Sequence, residues 1–334
     1  MRTEPALNTD TIKHCLAVDY GFDVGALHWL GTGYDMDAFG YEAVEPKGCS
    51  WFVRFSRGPV NPGSVNVPLL LASSGVSNIL APVPTRAGDL WSNVDEGTVV
   101  VFPFIRGNDG TTGLTDEQWL VFGQTLAAVH NGGFEHTLSA GLPTDSFSSD
   151  SIQPVLNVLN RIDEGACERR ADGIAEFLHA KRALLRAIVH RMHELGDQLK
   201  AKPFERVLCH GDIHAANILV SDAGELYLTD WDTARIAPRE RDLIFIIGSR
   251  IARKVEPREE SIFLKGYGSV YPDPEALSYY RYERILEDVG EIGTRRLLTD
   301  DVLPETEDLD LDLLQRLFSP GDIVETTLES DSGA

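Results

Sequence analysis

No long apolar run occurs in the 334 residues. Nothing approaches the roughly 20 consecutive apolar residues of a membrane helix, and the first residues lack a basic stretch followed by an apolar one. A cytoplasmic protein with no membrane partner is therefore expected. Cysteine is scarce: Cys15, Cys49, Cys167 and Cys209 are scattered without metal-ligand spacing. Reduced thiols are expected, with Cys15 and Cys209 buried among apolar neighbours. Basic residues are also few, 30 Lys and Arg against 52 Asp and Glu, for a net charge of −22. A phosphate backbone needs a basic surface, so nucleic acid is excluded as the expected partner. The acidity favours a cationic ligand, and it serves solubility equally well. What is present is globular: a hydrophobic share of 43%, and length enough for one large domain or two lobes. No internal repeat is visible.

The first hundred residues read as strands and little helix. A short helix from Asp10 to about Tyr20, capped by Thr9 or Asp10, precedes strands at Ala26–Leu30, Ala38–Val44 and Ser50–Phe55. The turn after the first strand holds Gly31 and Gly33, whose backbone amides suit a phosphate; an ordinary hairpin turn would look the same. Arg54 is the one charge on the third strand, facing either solvent or a phosphate. Gly58 to Asn66 reads as a turn-rich connection, Val67–Ser74 as a helix, and Ile79–Pro82 and Thr98–Pro103 as strands, which together make a compact antiparallel lobe. Gly107-Asn108-Asp109-Gly110 breaks the pattern, so the boundary is drawn between residues 104 and 105. Beyond it, Thr115-Asp116-Glu117-Gln118 is a capping box opening a helix to about His130. Residues 131–150 read as surface loop. Further helices are expected at Pro154–Arg161, Ala171–Leu199 and Pro274–Leu298, with a frayed acidic tail beyond Asp322.

The chemistry concentrates in Val207-Leu208-Cys209-His210-Gly211-Asp212-Ile213-His214-Ala215-Ala216-Asn217-Ile218-Leu219-Val220. This is an apolar strand, a polar loop and a second apolar strand. Asp230-Trp231-Asp232 follows a further apolar-rich stretch, Glu225–Thr229. Any one of these polar residues also suits an Asx turn. As an ordered set, His-x-Asp-x4-Asn followed by a strand and Asp has the spacing of the kinase catalytic loop and its metal-binding aspartate. Asp212 can orient an acceptor hydroxyl and take its proton. Asn217 and Asp230 offer the oxygen donors that magnesium prefers. His210 suits a loop-tying hydrogen bond better than titration. Asp232 could ligate metal, attract a cationic substrate or cap the next turn.

His210-Gly211-Asp212-Ile213-His214-Ala215-Ala216-Asn217 with Asp230-Trp231-Asp232 resembles the aminoglycoside phosphotransferase family. So do Ala237-Pro238-Arg239-Glu240-Arg241-Asp242-Leu243 and Leu277-Ser278-Tyr279-Tyr280-Arg281-Tyr282-Glu283-Arg284. The likeness runs from about residue 10 to 325 and is strongest from 207 to 290. It implies an α+β, protein-kinase-like two-lobed fold, with a small antiparallel-sheet N-lobe over 1–104 and a larger, mainly helical C-lobe over 105–334. It implies ATP and Mg2+ as cofactors, and phosphorylation of a hydroxyl on a cationic aminocyclitol or aminoglycoside antibiotic, spectinomycin first among them, by a monomer. Asp212, with His210, would be catalytic, and Asn217 and Asp230 would hold the metal. Gly31, Gly33, Arg54 and the hinge Phe102, Pro103, Phe104 and Ile105 would meet the nucleotide. Asp212, Asp232, Tyr279, Tyr280, Glu283 and Glu287 would meet the substrate, and Asp242 would brace the catalytic loop. Two departures stand out. Arg54 occupies the family's lysine position, with no acid in Val67–Ser74 to pair with it. Met36 replaces a third glycine after Gly31 and Gly33. A kinase of another small alcohol (another aminoglycoside or a choline-like amino alcohol) and a non-catalytic nucleotide-binding regulator are the alternatives.

Overall fold

In strands β2 (Ala38–Val44) and β3 (Ser50–Ser56), alternate residues turn inward, and Phe39, Tyr41, Ala43, Val53 and Phe55 are buried while their neighbours are half-open. That period of two makes one face of a sheet a core face. A computed structural model describes residues 7–31, 37–94, 97–138, 141–148, 150–165, 173–299 and 307–332. The sheet is antiparallel and also holds β1 (Ala26–Trp29), β4 (Ser92–Val94) and β5 (Gly97–Pro103), in the order β1-β2-β3-β5-β4. Its buried face packs against Ile12 and Cys15 of α1 (Thr9–Cys15) and against Leu16 and Tyr20, which follow it. The Tyr20 hydroxyl donates to the Val99 carbonyl at 3.2 Å, which satisfies a polar atom inside that core.

Contact density divides the chain into two compact units. Unit 1 comprises residues 1–143, 210–235 and 261–268; unit 2 comprises 144–209, 236–260 and 269–334. This division takes more of the chain into the first unit than a boundary at 104 does. Unit 1 holds the five-stranded sheet, α2 (Pro62–Ser73), α3 (Asp116–Asn131), α4 (Glu135–Leu138) and a second sheet. The second sheet runs β6-β8-β9, from β6 (Gly107–Asp109), β8 (Ile218–Ser221) and β9 (Leu226–Leu228). Unit 2 is mainly helical, with α5 (Ile152–Asp163), α6 (Gly173–Lys200), α7 (Glu240–Leu243), α9 (Pro274–Leu297), α10 (Glu307–Leu317) and α11 (Ile323–Ser332). It also holds β7 (Val207–Cys209), paired with β10 (Arg235–Ala237), whose last two residues lie in this unit. Helix α8 (Pro257–Tyr267) spans the division. In unit 2, Gly290 and Gly293 let α9 approach α5 closely; a Cβ on Gly293 would lie 2.7 Å from Val158. Among the described residues, no helix is long and apolar enough to cross a membrane.

Several sequence expectations need correcting. The cap of α1 is Asn8, whose side chain accepts from the Asp10 N–H. Helix α2 begins at Pro62 rather than Val67, because Asn61 caps it and Pro62 occupies its first turn, the position where a missing N–H costs nothing. Ile79–Pro82 is no strand; Ile79 makes one isolated bridge to Leu228, and β4 is the fifth strand of the first sheet. Gly107–Asp109 is a strand, and its glycine is required, since a Cβ there would fall 1.9 Å from the Val220 carbonyl oxygen. The tail is helical. Ile323, Val324 and Thr327 of α11 are buried, and Asp331 accepts Arg191 Nε and Nη2 at 2.7 Å each and the Tyr282 hydroxyl at 3.1 Å. The charge-assisted fork should make Asp331→Ala cost about 1.5–3 kcal/mol of unfolding free energy. A urea titration checks this; an unchanged midpoint would show α11 to be unanchored. Cys15 and Cys209 are buried as expected and Cys49 is exposed, while Cys167 lies outside the described residues. Desolvation pushes the Cys15 thiol up to about 11 and Cys209 well above its usual value, so neither is a nucleophile at neutral pH.

Candidate active site

The loop between β7 and β8 and the turn after β9 are tied into one framework within unit 1. Thr229 is its knot. Its N–H and its hydroxyl both donate to the Asn217 carbonyl at 3.0 Å, and its carbonyl accepts from His210 Nε2 at 2.9 Å. A carbonyl only accepts, so Nε2 carries the proton, and His210 Nδ1 accepts from the Asp212 N–H at 3.4 Å. His210 is fully buried, its ring 4.5 Å from that of Trp231. It ties the loop to Thr229 by these hydrogen bonds, as its place in the loop suggests. Gly211 has φ +88°, and a Cβ there would lie 2.5 Å from the Thr233 carbonyl oxygen, so only glycine fits the bend that brings Asp212 round.

Around Asp212 the donors converge on one oxygen. Asn217 Nδ2 donates to the Asp212 carbonyl at 2.8 Å and lies 3.4 Å from Oδ2. His214 Nε2 lies 3.4 Å from the same Oδ2. The Ala216 N–H donates to His214 Nδ1 at 3.2 Å, which puts the imidazole proton on Nε2, toward the carboxylate. The sequence reading misses His214 as a site residue; its position two residues after Asp212, inside the same loop, is the signal that could have found it. With its amide nitrogen committed to Asp212, Asn217 keeps its Oδ1 as the oxygen donor.

Asp230 begins the turn after β9 with φ +65°, a left-handed conformation uncommon outside glycine and concentrated at functional turns. Desolvation, then the charges of Asp232 and, more weakly, Asp212, push its carboxyl above the usual carboxylate range; Arg54 and His210 oppose the shift. Solvent reaches 51% of the side chain, so crowding by like charges is the firmer of the two causes. A divalent cation would relieve that crowding. The donor set, carboxylates with one amide oxygen, is what magnesium takes, so the residues fit the metal.

Arg54 on β3 reaches the same turn. Its Nη1 donates to Asp232 Oδ1 at 3.0 Å and its Nη2 to Oδ2, while Nη1 lies 3.9 Å from Asp230 Oδ1. Asn61 Nδ2 donates to the Asp232 carbonyl at 2.6 Å. Nothing local in the sequence points to Asn61 here. At the end of β5, Phe102, Pro103, Phe104 and Ile105 are half-buried. The Phe104 N–H donates to the Ser50 carbonyl at 3.4 Å, and Pro103 has no N–H, so the Ile105 amide is the donor that this segment can offer a ligand. Gly31 has φ +65°, and Gly33 lies outside the described residues.

Residues 41–280 match the family model described as the phosphotransferase enzyme family. The chain belongs to that family. It is therefore a phosphotransferase, and Asp212, Asn217 and Asp230 sit on a phosphotransferase framework. A solved structure of spectinomycin phosphotransferase, APH(9)-Ia, in complex with ADP and spectinomycin superposes with a TM-score of 0.85 at 28% identity, covering 98% of this chain and 99% of that one. An AMP-bound complex of the same enzyme gives 0.81 at 28% identity, covering 96% and 98%. Protein StrN of Streptomyces griseus is 29% identical over 246 residues, 70% of each chain. Choline kinase LicA from Streptococcus pneumoniae shares the fold, with a TM-score of 0.58 at 17% identity, covering 98% of this chain and 99% of that one. The α+β, kinase-like phosphotransferase fold expected from the motif is the fold observed.

Of the residues expected around the phosphotransferase's substrate, Asp212 and Asp232 lie in unit 1, and Tyr279, Tyr280, Glu283 and Glu287 lie in unit 2 and are engaged there. Tyr279 is fully buried, with its hydroxyl donating to the Ser148 carbonyl at 3.1 Å and its ring edge-on to Phe147. Tyr280 is buried against Phe147 and beneath the Arg241 guanidinium, 5.3 Å from the ring centre. Glu283 accepts from Arg241 Nη1 at 2.5 Å, and Arg241 also holds Asp145 at 3.1 Å. Packing and ion pairing thus occupy Tyr279, Tyr280 and Glu283, leaving little of them open. Glu287 keeps 42% of its side chain exposed, 3.7 Å from Arg241. Asp242, expected to brace the loop, is fully buried in α7 of unit 2.

Proposed function

We propose that the chain transfers the γ-phosphoryl group of ATP to a hydroxyl of a cationic aminocyclitol antibiotic, spectinomycin first, and so confers resistance to it. The observation that carries this reading is the framework joining Asp212, Asn217 and Asp230, on a chain that APH(9)-Ia matches over 98% of its length. Asp212 orients the acceptor hydroxyl and takes its proton as the oxygen attacks phosphorus. Asn217 Oδ1 and Asp230 would hold magnesium, which supplies charge neutralisation at the phosphates when bound. Arg54 meets a phosphate, the Ile105 N–H and Pro103 carbonyl meet the adenine, and the first 104 residues serve chiefly the nucleotide. The net charge of −22 favours the approach of a cationic acceptor.

A second reading, a kinase of another small hydroxyl compound, has one observation in its favour. Packing and ion pairing occupy Tyr279, Tyr280 and Glu283, the residues that would tell one acceptor from another, whereas the Asp212 framework serves any hydroxyl. One experiment separates them. Purified protein with magnesium, ATP and spectinomycin is expected to give a phosphorylated antibiotic, its position read by phosphorus–proton NMR. Turnover of choline or another aminoglycoside, with spectinomycin untouched, would select the second reading.

A further inference from the structure

The strand cation of this chain has an unexpected anchor. Helix α2, which follows β3, carries no Asp or Glu. Arg54 instead forks onto both carboxyl oxygens of Asp232, two residues past the metal-facing Asp230. Planar guanidinium and planar carboxylate match in this arrangement, and a lysine ammonium could not reproduce it. The turn bearing Asp232 is itself held. Its carbonyl accepts from Asn61 Nδ2 at 2.6 Å, and Asn61 Oδ1 accepts from the Gly63 N–H at 3.0 Å, capping α2. Arg54 and Asp232 are 24% and 32% exposed, sheltered enough for the fork to hold one geometry. The arginine at position 54 and the lack of an acid on α2 thus become one feature: the forked cation goes with the carboxylate that comes from the turn.

We propose that Asp232 is a positioning residue for Arg54, fixing the guanidinium beside Asp230 where the phosphates of a nucleoside triphosphate meet it. This assigns Asp232 to the nucleotide and not to the acceptor. It rests on the reading of Arg54 as a nucleotide contact. A guanidinium has five N–H donors, so the fork and a phosphate contact are compatible.

The test is a double-mutant cycle on the full chain, with Arg54→Ala, Asp232→Ala and the pair. Two readouts are used: affinity for a fluorescent ATP analogue with magnesium, and KM for ATP against KM for the acceptor. Each single variant is expected to weaken nucleotide binding about tenfold, the size of one charge-assisted hydrogen bond. The double variant should match Arg54→Ala within about twofold, because Asp232 acts through Arg54. The acceptor KM should hold within about twofold. Arg54→Lys should also lose affinity, since an ammonium cannot fork. If Arg54→Ala weakens nucleotide binding and Asp232→Ala does not, the positioning role is wrong while the nucleotide reading stands. If neither moves it, the nucleotide reading of Arg54 fails. A rise in acceptor KM alone on Asp232→Ala would place Asp232 against the acceptor and overturn the proposal. Thermal melts control for folding. Should Asp232→Ala unfold, Asp232→Asn, which keeps one acceptor oxygen, replaces it in the cycle and must show a smaller loss in the same direction.

Discussion

Asp212→Ala should lower kcat by about a thousandfold, within the range for loss of a positioned general base. Nucleotide affinity should change by no more than about twofold, because nothing in the nucleotide reading asks Asp212 to touch ATP. The geometry motivates the size. Asp212 Oδ2 is held by His214 Nε2 and Asn217 Nδ2, each 3.4 Å away, and the backbone behind it is fixed by Gly211. Alanine removes the carboxylate without changing that backbone, so the fold should persist and the loss should be chemical. Single-turnover transfer from labelled ATP, beside a binding titration, measures both. A variant that kept a tenth or more of the activity would assign the base elsewhere. Removing magnesium with a chelator should stop transfer in the wild type as well, since Asn217 and Asp230 present oxygen donors and no cation of their own.

Arg241→Met should destabilise the fold more than Asp331→Ala does. The guanidinium is 5% exposed and faces the carboxylates of Asp145, at 6%, and Glu283, at 10%. Burial works against its charge, but Glu283, Glu287 and Asp145 outweigh burial and hold the group firmly protonated. Methionine fills most of the space and leaves two buried carboxylates without their cation. Breaking such a pair from one side costs about 3–5 kcal/mol, which lowers Tm by about 4–7 °C in a chain of this size. Differential scanning calorimetry checks it. The double variant Arg241→Met with Glu283→Gln should recover part of the loss, because one of the stranded charges goes too. A melting temperature within a degree of wild type would show the cluster to be solvated.

Four of the five strands of the first sheet, β1, β2, β3 and β5, were legible because each is a short apolar-rich run, and their bounds matched to within a residue or two, whereas β4, Ser92–Val94, has no such run. The loop from His210 to Asn217 was legible as a candidate site because its polar residues are close in sequence, and spacing alone carries the pattern. What sequence could not carry was partnership across distance. Asp232 left three roles open, and its partner Arg54 lies 178 residues away. Tyr279, Tyr280 and Glu283 looked like a polar, aromatic face of α9; only the fold reveals that Arg241 and Phe147 cover that face. The start of α2 was a different kind of miss. Asn61-Pro62 is a cap followed by a first-turn proline, a local signal outweighed by the glycines and prolines around it. The tail misled through composition, since its acidic, Ser/Thr-rich residues hid the apolar side of α11 and the anchor of Asp331 on Arg191.

Thr229 fixes the Asn217 carbonyl with two donors and His210 with its own carbonyl. The spacing of Asn217 and Asp230 is therefore set by these bonds and the strand pair rather than by the turn that joins β8 to β9. That turn, Asp222 to Glu225, is exposed and closes on the Ser221 N–H to Glu225 carbonyl bond. For protein engineering this makes it an insertion point: a short reporter loop grafted between Asp222 and Gly224 changes the length of chain between Asn217 and Asp230 without changing the distance between their donors.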